Sequence, residues 1–142
     1  MKNLIGIDVG GTKCAVVIAR RADDGTPPQI LSKKSFPTIA GKPKETIDTL
    51  VKLARETLAE LGLKSSDISA IGVSCGGPLD SARGIVMSPP NLAGWDNIPI
   101  TEILERQLGA PAFLQNDANA CALAEWLYGA GKGARNMVFM TF

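Results

Sequence analysis

The chain has 142 residues, of which 45% are hydrophobic, and its 15 basic and 14 acidic residues leave a formal net charge of +1. This size and composition predict one globular domain with a buried core, and the balanced charge contains no block that would attract nucleic acid or an anionic membrane. Because the chain has no histidine, a Ser-His-Asp or Cys-His nucleophilic site is excluded, and chemistry must use carboxylates, amides and backbone donors.

The first part of the sequence predicts three antiparallel strands followed by a helix. Residues 4–9 and 14–19 are short β-branched runs on either side of Gly-Gly-Thr-Lys, which is typical of two strands joined by a tight turn. Residues 29–37 can supply a third, more polar strand. Between residues 44 and 61, apolar residues recur every three or four positions and Gly62 follows, so this segment is predicted to be a helix.

In the second part of the sequence, predicted strands and helices alternate. The predicted elements are a strand at 68–74, a small strand at 84–87, a helix at 100–108, a strand at 112–114 and a helix at 118–128. Apart from the small strand, the order is βββαβαβα, which indicates an α/β domain with a mixed five-stranded sheet and helices on both faces.

The last seven residues, 136–142, have the composition of a strand that no turn follows. A natural chain seldom stops inside a strand, so we expect this one to be the first part of a longer protein. The expected division is an amino-terminal domain at residues 1–135 and, at 136–142, the first strand of a truncated carboxyl-terminal domain.

The cysteines and the amino terminus indicate the compartment. Cys14, Cys75 and Cys121 are far apart and include no CxxC pair, so they predict free, buried thiols in a reducing environment rather than a disulfide framework or a zinc site. The first apolar run is too short for a signal peptide, and no run has the length of a membrane span. We therefore expect a cytoplasmic protein with no nucleic-acid or membrane partner.

The turn after the first strand, Asp8-Val9-Gly10-Gly11-Thr12-Lys13, carries residue types suited to phosphate. Two adjacent glycines let the backbone approach a ligand closely and leave their N–H groups free to face an anion. Thr12 adds a hydroxyl donor and Lys13 a positive charge. Asp8 would repel phosphate unless a cation lay between them, so it is expected to orient a hydrated Mg²⁺. The alternative is a plain hairpin turn that Asp8 caps.

Four motifs occur in an order that resembles a known family. They are the Asp8–Lys13 turn, Gly76-Gly77-Pro78, the loop Pro90–Trp95, and Asn116–Ala120 with Glu125 after it. Along the whole chain, these motifs resemble the ROK family of sugar kinases and related repressors. The resemblance implies the amino-terminal domain of the two-domain actin-like ATPase (ribonuclease H-like) fold, and ATP-dependent phosphorylation of a hexose or amino-hexose.

The fourth motif carries the chemistry that the resemblance implies. Phe113-Leu114 delivers Asn116 and Asp117 to the carboxyl end of a strand, where open α/β sheets bind ligands. Asp117 matches the catalytic base of the family, which accepts the proton of the attacking sugar hydroxyl, and Asn116 fixes the sugar by donating and accepting hydrogen bonds. Taken by itself, Asp117 would more often be the cap of the following helix than a catalytic base.

The resemblance assigns the remaining motifs to the two ligands. Gly77 and Asn91 are expected to contact the sugar; the alternatives are a plain strand-ending turn for the glycine and an Asx-turn for the asparagine. Trp95 is predicted to be a core residue outside the site. The residues expected to bind ATP are Asp8, Gly10, Gly11, Thr12 and Lys13, with Mg²⁺ held by Asp8 through water.

Other parts of the family's site would lie outside residues 1–142, including a second phosphate loop, a histidine-containing segment, the adenosine pocket and any structural Zn²⁺ site. The resemblance therefore implies that this chain folds but does not phosphorylate sugar by itself, and that exposed apolar surface favours a homodimer. The alternative functions are a sugar-sensing ROK-type transcriptional regulator and a non-catalytic sugar-binding protein. The early start of the first strand, at Asn3 or Leu4, favours the kinase.

Overall fold

The computed structural model describes all residues 1–142. In chain order its elements are β1 (Lys2–Val9), β2 (Lys13–Arg21), β3 (Gln29–Pro37), α1 (Pro43–Glu60), a 3-10 turn (Ser65–Asp67), β4 (Ile68–Cys75), β5 (Leu79–Asp80), β6 (Ile85–Val86), α2 (Ile100–Leu108), β7 (Ala112–Asn116) and α3 (Asp117–Tyr128). Five strands form one sheet in the order β3-β2-β1-β4-β7, and β5 pairs with β6 in a separate hairpin. The predicted α/β class and element order are confirmed; β5 was not predicted.

The direction of the strands makes the sheet mixed, as predicted. β2 runs antiparallel to β1 and β3, whereas β4 runs parallel to β1 and β7 parallel to β4. In the parallel part, Val9 lies opposite Cys75, and Cys75 lies opposite Asn116. Three strands therefore end side by side at one edge of the sheet.

One face of the sheet carries the core. Alternate residues of the strands point to this face and are buried, among them Ile7, Val16 and Val73. Helix α1 packs against β2 and helix α2 against β7, and the two helices also contact each other. The apolar spacing that predicted α1 places Leu50 and Leu58 in the same core cluster. The covered face is thus closed by α1 and α2.

The opposite face is largely open. Helix α3 contacts β7 and β4 there, yet none of its residues is buried. Its Ala120 and Leu123 line a cleft of about 410 Å³ together with Ser74, Phe113 and Gln115. Helices thus lie on both faces, as predicted, but α3 covers its face only in part. No helix combines the length and the apolar character that crossing a membrane requires.

One prediction is wrong and another stays open. Residues 137–142 have no regular secondary structure, and none of the strands of this chain pairs with them, so the strand predicted at 136–142 as the start of a further domain stays a prediction. A strand needs a hydrogen-bonded neighbour, and composition alone does not supply one. Cys14 and Cys75 are buried as predicted, but Cys121 is exposed because it lies on α3. The domain division at residue 135 stays a prediction.

Candidate functional site

The predicted motifs meet at the edge where β1, β4 and β7 end. Because these parallel strands end in register, the residues that follow them, Gly10, Gly76 and Asp117, are neighbours along that edge. Asp8 lies one residue before the end of β1 and is exposed there. The carboxyl edge of a parallel sheet is where α/β proteins bind ligands. The structure therefore brings together motifs that lie more than 100 positions apart in the sequence.

The missing side chains of Gly76 and Gly77 leave a space at the backbone that polar side chains border. A methyl group added to Gly76 would lie 3.5 Å from Oδ1 and 3.6 Å from Nδ2 of Asn91, and 3.9 Å from Oδ2 of Asp117. One added to Gly77 would lie 3.6 Å from Nδ2 of Asn116. Any side chain at these positions would fill the space in front of the amides and the carboxylate. The space is therefore lined by the donors and acceptors that a neutral polyhydroxyl ligand needs.

Asp117 has one unused carboxylate oxygen at this space. It is the first residue of α3, but the cap is Asn116, whose Oδ1 accepts from the backbone N–H of Asn119 at 3.3 Å. Oδ1 of Asp117 accepts from the N–H of Ala118 at 2.8 Å, and Oδ2 faces Gly76. The capping alternative for Asp117 is thus wrong. The role predicted for Asn116 changes too, because its Oδ1 serves the cap and Nδ2 is the atom turned toward Gly77.

The turn after β1 presents a different pair of backbone donors from the predicted pair. The N–H of Gly10 donates to the carbonyl of Lys13 at 3.1 Å and is not free. The N–H groups of Gly11 and Thr12 make no hydrogen bond within the chain, so they are the backbone donors that can face an anion. Thr12 and Lys13 are exposed at the same turn. The free N–H groups are thus those of Gly11 and Thr12, whereas the sequence predicted those of Gly10 and Gly11.

Both glycines of this turn are required by crowding rather than by their φ angles, which do not fall in the left-handed region. A methyl group on Gly10 would lie 2.7 Å from the carbonyl oxygen of Lys13. One on Gly11 would lie 2.4 Å from the carbonyl oxygen of Asn91. The turn and the Asn91 loop therefore pack directly against each other, backbone to backbone.

The Asn91 loop is anchored from below by apolar side chains. Leu92 is buried and Trp95 is 1% exposed, which confirms that Trp95 is a core residue. The N–H of Ser88 donates to the carbonyl of Trp95 at 2.9 Å and closes the loop. Asn91 itself is exposed, and its amide atoms face Gly76. The loop thus presents Asn91 to the same space that Asp117 borders.

The thiols beneath the site are held neutral. Burial first, and then the charges of Asp117, Cys14 and Asp8 in that order, together raise the pKa of Cys75 to about 12. Burial also raises the pKa of Cys14, and Asp8 adds to that effect. Both carboxylates lie near Cys75 because Asp8 is paired with Ser74, and Asp117 directly follows the residue that is paired with Cys75. No ion pair neutralises either one.

The residues present offer a single carboxylate for a hydrated Mg²⁺ ion and no metal cage. No group of three or more cysteine, aspartate or glutamate side chains is placed to hold a metal. Mg²⁺ commonly binds one or two carboxylates and completes its shell with water and phosphate oxygens. Asp8, exposed beside the turn, can supply such a carboxylate through water.

One residue of this region was not predicted from the sequence. Thr38 donates its backbone N–H to the carbonyl of Thr12 at 2.9 Å and its hydroxyl to the carbonyl of Gly10 at 2.6 Å. No motif surrounds it. The signal is topological, because Lys13 pairs with Pro37 and the end of β3 therefore lies beside the turn.

Comparisons with known proteins agree with these features. The model of the ROK family matches residues 4–142. The glucokinase of Thermotoga maritima is 35% identical over 138 residues, which are 97% of this chain and 41% of that protein. The crystal structure of a ROK hexokinase from Thermus thermophilus is 38% identical with a TM-score of 0.75, over 92% of this chain and 40% of that one.

A second solved structure carries ligands. It is a ROK family glucokinase from Streptomyces griseus in complex with glucose and AMPPNP, 32% identical with a TM-score of 0.73, over 92% of this chain and 38% of that one. These neighbours are sugar kinases with the actin-like ATPase fold, so the predicted fold is confirmed. The chain spans about two fifths of the length of the relatives that it matches.

Proposed function

The chain belongs to the ROK family, and from this we propose that it carries the catalytic base and part of the nucleotide site of an ATP-dependent sugar kinase. The observation that supports this best is the unused Oδ2 of Asp117, which faces a polar space beside a turn with free N–H groups. The proposed substrate is a hexose or an amino-hexose, and the proposed reaction transfers the γ-phosphoryl group to one of its hydroxyls.

On the sugar side, the residues around Gly76 position a hydroxyl. Oδ2 of Asp117 accepts the hydrogen of the attacking hydroxyl and takes its proton as the bond to phosphorus forms. Nδ2 of Asn116 and the amide of Asn91 hydrogen-bond neighbouring hydroxyls and fix the orientation of the ring. Positioning of this kind supplies much of the rate enhancement in phosphoryl transfer.

On the nucleotide side, the turn after β1 holds phosphate oxygens. The N–H groups of Gly11 and Thr12 donate to them, while the Thr12 hydroxyl and the Lys13 ammonium lie exposed at the same turn. Mg²⁺, when bound with the nucleotide, neutralises phosphate charge. Asp8 orients the water shell of that ion.

Contact between the two sides favours transfer over simple binding. Gly11 of the turn packs on the backbone of Asn91, so phosphate and sugar groups bind next to each other. Reacting atoms must come within about 3–3.5 Å for a near-attack arrangement. The two alternatives, a sugar-sensing regulator and a non-catalytic sugar-binding protein, do not require an aspartate with a free oxygen at this place.

The test is the Asp117→Asn variant of the longest polypeptide that the gene encodes, assayed with ATP and a panel of sugars. Asparagine keeps the oxygen that accepts from Ala118 and removes the base. We expect turnover to fall by about 10²- to 10⁴-fold with an unchanged melting temperature. Asp23→Asn, at an exposed turn, is the matched control and should retain full activity. Near-normal turnover of Asp117→Asn would rule out the proposal.

A further inference from the structure

Thr38 ties the end of β3 to both carbonyl groups of the phosphate-binding turn. Its N–H donates to the Thr12 carbonyl at 2.9 Å, and its hydroxyl donates to the Gly10 carbonyl at 2.6 Å. The residue is half-buried and lines a small cavity of about 80 Å³ beside Gly11 and Asn91. Both of the hydrogen bonds that it donates go to the turn.

These two bonds decide which backbone groups the turn presents. A carbonyl oxygen that faced a phosphate would repel it, whereas an N–H group attracts it. The N–H of Gly10 is taken by Lys13, and the carbonyl oxygens of Gly10 and Thr12 are taken by Thr38. The N–H groups of Gly11 and Thr12 remain. The turn therefore has two N–H groups free to face a ligand, while its Gly10 and Thr12 carbonyl groups point toward Thr38.

Cys14 supports the orientation of the Thr38 hydroxyl. Its sulfur lies 3.3 Å from Oγ1 of Thr38 and 3.9 Å from the Gly10 carbonyl oxygen. The hydroxyl hydrogen of Thr38 is directed to Gly10, so the thiol is the donor in the contact between sulfur and Oγ1. Because burial raises the pKa of Cys14, the thiol keeps the hydrogen that it donates. The chain of donors runs from Cys14 through Thr38 to Gly10.

We infer that Thr38 is a positioning residue for nucleotide binding: its hydroxyl and N–H draw the Gly10 and Thr12 carbonyls inward and fix the Gly11 and Thr12 N–H groups toward the phosphates. This inference rests on the proposed function, in which the turn binds the phosphates of ATP. It places the effect of Thr38 on the nucleotide and not on the sugar.

The test compares Thr38→Val, which keeps the shape and removes the hydroxyl, with Thr38→Ser, which keeps the hydroxyl. Both are made in the longest polypeptide that the gene encodes. We expect the valine variant to raise the KM for ATP about fivefold, as the loss of one hydrogen bond would, and to leave the KM for the sugar unchanged. The serine variant should have the wild-type KM for ATP. If the valine variant does not fold, Thr38→Ala takes its place.

Each other outcome overturns the inference. An unchanged KM for ATP in the valine variant shows that the hydroxyl does not position the turn. Equal increases in both KM values, or a serine variant as impaired as valine, indicate a general packing role. A wild-type protein that phosphorylates no sugar with ATP removes the proposed function itself, and the inference falls with it. If the Thr38 variants give one of these results while the wild-type enzyme is active, the inference is wrong and the proposed function still holds.

Discussion

The two faces of the sheet support the site in different ways. On the covered face, α1 and α2 close a core in which Leu50 is fully buried. The strands β1, β2 and β4, which lead to the phosphate-binding turn and to Gly76, contribute residues to that core. On the open face, α3 buries no residue, and Phe113 and Leu123 are 65% and 50% exposed. The phosphate side is therefore held by core strands alone. Asp117 also follows a strand with core residues, Ala112 and Leu114, but it begins a helix in which no residue is buried.

The largest expected difference between the faces is in stability. Leu50→Ala removes a fully buried side chain and should lower the free energy of unfolding by about 2–5 kcal/mol. Leu123→Ala, which shortens a half-exposed side chain on α3, should change it by less than about 0.5 kcal/mol. Urea denaturation of the two variants measures both values. Equal losses would mean that α3 is packed as tightly as α1.

Next in size is the contact between the phosphate turn and the Asn91 loop. A methyl group at Gly11 would lie 2.4 Å from a backbone oxygen that cannot move alone, so Gly11→Ala should cost about 1–3 kcal/mol. Gly72→Ala is the matched control, because a methyl there meets no atom within 4 Å. Thermal denaturation compares the two. A Gly11→Ala protein as stable as the control would show that the two segments are not tightly packed.

A smaller change in stability is expected at Asn116, whose Oδ1 caps α3 and whose Nδ2 is proposed to bind the sugar. Asn116→Ala removes the cap of α3 and should cost about 1 kcal/mol, because the N–H of Asn119 loses its acceptor. Asn116→Asp keeps a capping oxygen and removes the Nδ2 donor, so it should restore stability without restoring sugar affinity. Melting curves and the KM for the sugar report the two roles separately. If Asn116→Asp had both wild-type stability and a wild-type KM for the sugar, Nδ2 would have no function in sugar binding.

The smallest effect at neutral pH comes from the buried thiol under the site. The pKa of Cys75 is raised from 9.0 to about 12 in the folded protein. The unfolded chain therefore loses this proton first, and the stability that the neutral thiol contributes is complete below pH 9 and is lost as the pH rises toward 12. Cys75→Ala should flatten the fall in melting temperature above pH 9. An unchanged alkaline slope would argue against this prediction.

Periodicity predicted the strands and helices, because spacing of apolar residues reports which side of an element is buried. It could not predict register, and so could not show that Val9, Cys75 and Asn116 end opposite one another. The site residues were predicted from motifs. Their hydrogen bonds were not, because the donor at Gly10 and the acceptor at Asn116 are consumed by contacts that depend on local geometry.

Thr38 illustrates the remaining limit of prediction from sequence. It lies 26 positions after Thr12, in a segment with no recognisable motif, and only the pairing of β2 with β3 brings the two together. The tail at 136–142 shows the converse, since a composition typical of a strand forms none without a neighbour. Residue type predicts what a segment is able to form, and the surrounding chain decides whether it does so.

The common end point of β1, β4 and β7 also limits how the gene can vary. Deleting one residue within β4 would pull Gly76 back by about 3.3 Å and turn every following side chain of that strand to the opposite face. The glycines would then no longer lie beside Gly10 and Asp117, although every motif would still be present. Length variation is therefore tolerable in the outer loops and incompatible with function inside these three strands.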